Sequence, residues 1–152
     1  MNKPELLAPA GNLENLKIAL IYGADAVYLG GKGFGLRARA KNFTLQQLAE
    51  GIKFAHDRGK RVYLTLNIIP HNEDLEGLPE YLVKLKELEL DAVIVSDPGV
   101  LSLVKSIIPE KEIHLSTQAN TTNYASVNFW YKQGVNRIIL ARELSLEEIK
   151  EI

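Results

Sequence analysis

Cysteine is absent from this chain. Within it, disulfides, thiolate nucleophiles and cysteine-held iron–sulfur or zinc sites are therefore excluded. Net charge is also nearly absent. Lys and Arg number 18 against 19 Asp and Glu, a formal charge of -1, so no global field draws the chain to nucleic acid or an anionic membrane, and any such binding has to come from a local patch. No apolar run approaches the ~18 residues of a membrane span. Met1 to Gly11 reaches Glu5 before any apolar stretch and is interrupted by Pro4 and Pro9, so no signal-peptide core is read there and a cytoplasmic protein is expected. Histidine is scarce too. His56, His71 and His114 show no metal-ligand spacing, so no metal site is expected from them. His56 reads as a surface residue at a helix end and His114 as an interior one. No Gly-x-Ser-x-Gly elbow is present.

Hydrophobic residues make up 46% and charged residues 24% of 152, the balance of an ordinary globular domain of one core. Short apolar runs alternate with longer segments of helical period, the pattern of βαβ units and a parallel sheet. Six strands are predicted: Glu5 to Ala10, Ala24 to Gly30, Arg61 to Ile68, Asp91 to Ser96, Glu112 to Gln118 and Asn136 to Arg142. Their starts lie about 26 residues apart, near the ~30 per unit of a (β/α)8 barrel. A doubly wound sheet shares the pattern, and the spacing favours the barrel. The fold class expected is thus α/β, a TIM-type (β/α)8 barrel truncated to about six units, with residues 1–152 forming one incomplete domain.

Local signals support the unit count. Thr44 with Gln47 and Ser145 with Glu148 fit capping boxes, and Gly23, Gly59 and Gly134 suit left-handed helix ends. Leu45, Leu48, Ala49, Ile52 and Ala55 form an apolar stripe on the second helix. A weak repeat places Asp25, Asp91 and Asn136 each just before a strand. The first and sixth strands are too apolar to remain bare edges, so self-association through exposed barrel edges is expected.

In such a barrel the residues that alternate with helix-facing apolar ones point inward. Tyr63, Thr65 and Asn67 of the third strand, and His114, Ser116 and Gln118 of the fifth, are predicted to do so. Arg142 is assigned inward by shared parity with Ile138 and Leu140. Active sites of these barrels gather at the C-terminal strand ends, where the polar set is Asn67, Ser96, Asp97, Gln118, Asn120, Arg142 and Glu143. Strand capping and core hydrogen bonding are the competing roles for several of them. After the second strand, glycines 30, 31, 33 and 35 run into Lys32, Arg37, Arg39 and Lys41 without an acid among them. Exposed amides beside four cations suit an anion such as phosphate, carboxylate or RNA; a solvated flexible loop is the alternative. The spacing does not match a dinucleotide fingerprint.

Glu5-Leu-Leu-Ala-Pro-Ala-Gly-Asn12, Gly23 to Gly31, Arg37 to Phe43, Leu64-Thr-Leu-Asn67, Asp91 to Gly99, His114 to Asn120 and Leu140 to Ser145 follow one another along the chain. Together they resemble the opening of peptidase family U32, the collagenase-like peptidases. The resemblance implies a barrel domain. It also implies either a protease or hydrolase, as the family name has it, or a role in RNA nucleobase or ubiquinone hydroxylation. It further implies an iron–sulfur cluster held by a cysteine-bearing segment downstream of the matched part, with no cofactor in this chain. Carried over onto matching motifs, the substrate-binding residues are Arg37, Asn67, Asp97, Ser116, Gln118, Asn120, Arg142 and Glu143. Catalytic residues are not assigned.

Three functions compete. One is a U32 enzyme acting on RNA, or on a small carboxylate donor such as prephenate, whose barrel part alone is inactive. Another is a non-catalytic binding or assembly barrel. The third, a phosphate-binding aldolase or isomerase, would want a Lys at a strand end, and Lys41 and Lys60 lie in or before loops.

Overall fold

The computed structural model describes residues 3–35 and 42–152. Six parallel strands form one sheet in the order of the chain: β1 (Leu7–Pro9), β2 (Ala26–Gly30), β3 (Arg61–Leu66), β4 (Ala92–Val95), β5 (Glu112–Leu115) and β6 (Arg137–Ile138). Between and after them lie α1 (Leu13–Ile21), α2 (Leu45–His56), α3 (Leu78–Lys86), α4 (Pro98–Ile107), α5 (Tyr124–Lys132) and α6 (Leu146–Glu151). The result is a half-barrel of the (β/α) class, open between β1 and β6.

Alternation along each strand creates two apolar layers. Val62, Leu64 and Leu66 of β3 and Ile113 and Leu115 of β5 pack with the helices in the main core. On the concave side Ala26, Tyr63, Ala92 and Ile94 form a second, smaller cluster joined by Leu7 and Ile139. The inward assignment of Tyr63 and His114 follows from the same period: the two rings meet edge to face with centroids 4.7 Å apart. Both capping boxes form, with Thr44 accepting from Gln47 N–H and Ser145 from Glu148 N–H. Gly23, Gly59 and Gly134 adopt φ of 107°, 64° and 84°.

The weak repeat is a clamp. Asp25 donates its N–H to the carbonyl of Leu6 (2.8 Å) and accepts the N–H of the same residue on its side chain (3.0 Å). Asp91 does both to Val62 (3.3 and 2.8 Å), and Asn136 does both to Ile113 (2.8 Å each). The second, fourth and sixth strands thus each begin by tying down the strand before, so the chain is built from modules of two β/α units. Any short side chain with a carbonyl or carboxylate oxygen suffices, which is why Asp and Asn interchange.

Asp25 is also held to Lys60 (3.1 Å) and Lys3 (3.6 Å). The Leu6 N–H, and after it Lys60, lower its carboxyl from the ordinary 3.8 to about 2. A depressed carboxylate contributes stability that is present above its unfolded-state value and is lost as pH falls through the folded-state value, a window from about pH 4 to about pH 2. Because Asn136 shows that an amide keeps the clamp, Asp25→Asn is expected to fold normally at neutral pH and to flatten stability against pH in that window. Urea unfolding at several acid pH values measures this, and an unchanged slope would refute it.

Three expectations need correction. The strands are shorter than predicted: β1, β2 and β4 begin later, at Leu7, Ala26 and Ala92, and β3 and β5 end earlier, at Leu66 and Leu115. In α2, Ala49 is exposed and Gly51 takes its place in the buried face; a Cβ at Gly51 would lie 2.8 Å from Leu16 Cδ1, so close packing of α1 on α2 requires glycine. The predicted sixth strand stops at Ile138. Ile138 packs with the helix-side core and Ile139 with the interior, the reverse of the assumed parity. Ile139 N–H still bonds to Leu115, the last residue of β5, and the chain then leaves the ladder, with Ala141 N–H bonding to Thr121 beyond β5.

Candidate functional site

At the C-terminal ends of the strands lies a pocket of about 560 Å³. Leu7, Pro9, Ile94 and Ile139 give it apolar walls, and Tyr28, Thr65, Asn67, Ser116, Gln118 and Arg142 give it polar groups. Asn67 follows β3 on the inward parity of Tyr63 and Thr65. Its backbone carbonyl accepts the Ser96 hydroxyl at 3.3 Å, and its side-chain amide donates to Ser116 Oγ (3.3 Å) and Gln118 Oε1 (3.1 Å). The Ser116 hydroxyl donates to the same Gln118 oxygen. Three residues from two strand ends therefore form one hydrogen-bonded unit. Asn67 and Ser116 are buried, whereas Gln118 is exposed at the mouth. Thr65 is fixed by donating to the Leu29 carbonyl at 3.1 Å.

The glycine-rich segment after β2 forms part of this wall. A Cβ on Gly35 would lie 3.1 Å from Thr65 Oγ1, and one on Gly30 would lie 3.0 Å from Asn42 Oδ1. Phe34 packs on Tyr81 of α3 with ring centroids 5.2 Å apart. Close approach thus explains Gly30, Gly31 and Gly35, while Gly33 is required by its left-handed φ of 112°. Of the anion-loop candidates, Lys32 is exposed, and Arg37, Arg39 and Lys41 lie outside the described residues.

Of the other candidates, Arg142 reaches the pocket because the chain departs from the β6 ladder. Asp97 is the N-cap of α4, its side chain accepting the Val100 N–H at 2.9 Å. Asn120 has a left-handed φ of 51° and ends the short turn after Ser116. It and Glu143 are exposed and do not line the pocket.

Sequence reasoning missed Tyr28, whose ring belongs to the pocket wall. Shared parity with Ala26 on β2 was the available signal. It also missed a cluster at the opposite end of the half-barrel. There Glu5 accepts from Arg137 Nη1 (2.6 Å) and from the Tyr63 hydroxyl (2.8 Å), joining the segment before β1 to β6. Burial raises the Glu5 carboxyl, but the hydrogen bonds from Arg137 and Tyr63 and the nearby Arg61 charge outweigh it and leave it below its ordinary value. Burial, with the Arg137 charge, lowers His114. A contact 132 residues apart in sequence leaves no local trace. His56, at the end of α2, lies 3.0 Å from Asp91. Among the described residues no group of three His, Asp or Glu could hold a metal ion, and no helix is long and apolar enough to cross a membrane.

A pocket at the open ends of parallel strands, walled by Ala10-Gly11 at one side and Ser116 to Gln118 at the other, uses the same motifs that carried the sequence resemblance. The family model for peptidase family U32 matches residues 11–152. The chain belongs to this family. The tRNA hydroxylation protein P of Escherichia coli is 51% identical over 152 residues, covering all of this chain and 34% of that protein. The 23S rRNA 5-hydroxycytidine synthase of the same organism is 41% identical over 148 residues, covering 97% of this chain and 22% of that protein. The chain thus spans about a third or less of the length of these curated relatives. The solved structure of the U32 peptidase Mk0906 superposes with a TM-score of 0.80 at 17% identity, over all of this chain and 65% of that one. That likeness establishes the shared fold.

Proposed function

We propose that this U32 chain is the substrate-holding half of a protein that hydroxylates a nucleobase in RNA. The observation that carries the reading is the Asn67–Ser116–Gln118 unit, set in an apolar-walled pocket large enough for one nucleotide, in a chain half identical to a tRNA hydroxylation protein. A splayed-out base needs an aromatic or apolar face and a few oriented amides, and Tyr28, Ile94 and Ile139 beside the unit supply them. Arg142 is suited to a phosphate or to the carboxylate of a small co-substrate. In the same reading Lys32, Arg37, Arg39 and Lys41 track the RNA backbone, and Asp97, Asn120 and Glu143 support the strand-end loops.

Iron–sulfur chemistry, if the full-length protein uses it, requires ligands outside these residues: the chain has no cysteine. We read the 152-residue part as inactive alone, without peptide cleavage, cytoplasmic, and self-associating through the bare β1 and β6 edges. The test is mass spectrometry of RNA from cells with and without the full-length gene. Loss of a nucleoside bearing one added oxygen atom, restored by the gene, is the expected result. Unchanged RNA together with a purified full-length protein that cleaves gelatin would overturn the reading in favour of a protease.

A further inference from the structure

We propose that Gln118 is a specificity-determining residue of this pocket, reading the hydrogen-bonding edge of the bound nucleobase with its side-chain amide N–H groups. The inference rests on the nucleobase reading above and concerns how the base is told apart from others.

Asn67 has two side-chain N–H groups, and they go to Ser116 Oγ and Gln118 Oε1. The Ser116 hydroxyl, having accepted one of them, donates onward to Gln118 Oε1. Both donors converge on one oxygen, so the Gln118 carbonyl is occupied and its orientation is set from behind. What the residue retains for a ligand is its amide nitrogen, a pure donor. No described hydrogen bond uses that nitrogen. The two supporting side chains are buried, with Asn67 9% and Ser116 3% exposed, while Gln118 is exposed at the mouth of the pocket. A mobile surface amide could turn either end toward a ligand and would read nothing. One held by two buried neighbours presents a fixed donor.

A fixed donor discriminates between pyrimidines where they differ. Uracil offers a carbonyl oxygen at the ring position where cytosine offers an amino group. Gln118→Glu retains the shape and lets one carboxylate oxygen accept from Asn67 and Ser116, while the other turns the donor into an acceptor. The substitution should therefore shift preference from the oxo toward the amino ring, whatever the starting value.

The measurement is the ratio of uridine to cytidine affinity in full-length protein and its Gln118→Glu variant, by calorimetric titration of the two nucleosides. The ratio is expected to fall by roughly tenfold or more. A role in packing alone would weaken both nucleosides alike, so an unchanged ratio would overturn the proposal. A second measurement needs no substitution. Nuclear magnetic resonance of the side-chain amide protons of Gln118 should show them shifting as uridine is added, and protons that stay in place while uridine binds would also overturn it. If full-length protein oxidises RNA yet the ratio does not move, the specificity inference fails and the RNA reading stands. If neither nucleosides nor RNA are bound or modified, the RNA reading fails and takes this inference with it.

Discussion

On the proposed function, Asn67→Ala is expected to lower RNA modification by the full-length protein roughly a hundredfold in kcat/KM, because a group displaced by about 1 Å can cost that much in an oriented site. Asn67 is the hub of the pocket. Its amide holds both Ser116 and Gln118, and its backbone carbonyl is itself held by Ser96. Truncation leaves the Ser116 and Gln118 oxygens without their shared donor and Gln118 held by the Ser116 hydroxyl alone. Stability should fall by no more than about 1–3 kcal/mol, the usual cost of removing one partner from a buried polar unit. Activity and stability measured on the same preparation separate the two effects. A kcat/KM within about threefold of the parent would show that the unit is only structural.

Gly31→Ala should destabilise the fold by about 1–3 kcal/mol, the usual cost of overpacking. A Cβ there would fall inside van der Waals contact with Tyr81 Oη, 3.2 Å from Tyr81 Cζ and 3.4 Å from Leu64 Cδ1. The ring cannot swing aside freely because Phe34 packs against it. Among the described residues the buried Tyr81 hydroxyl has no hydrogen-bond partner, and burial pushes its pKa up to about 12. Removing that hydroxyl should therefore be neutral or stabilising, so Tyr81→Phe alone is expected to cost nothing. Most of the Gly31→Ala penalty should disappear in the double variant, a coupling of about 1 kcal/mol or more. Denaturant unfolding of the four proteins measures it, and additive effects would show that the clash is not what demands glycine at position 31.

These two sites show where legibility stopped. The inward parity of Asn67 and Ser116 could be read because β3 and β5 keep a strict period of two, and a side chain's face follows from its position alone. Arg142 illustrates the limit: it reaches the pocket although its predicted parity was wrong, because the chain leaves the β6 ladder after Ile139. The glycine run was visible, yet its reason was not. A tyrosine some fifty positions along occupies the space above Gly31, and nothing near either residue announces the other.

What the amino-acid sequence determined by itself was the alternation of strand and helix, the caps at Thr44 and Ser145, the left-handed glycines and the face of each regular strand. All of these depend on neighbours within a few positions, where backbone sterics and one or two hydrogen bonds decide the outcome. Tertiary structure decided what Asp25, Asp91 and Asn136 are for, which strand-end polar groups share a pocket, and that Glu5 meets Arg137. Those are contacts between segments distant along the chain, and they exist only once burial of the two apolar layers has brought the strands side by side, because their partners are selected by position in space.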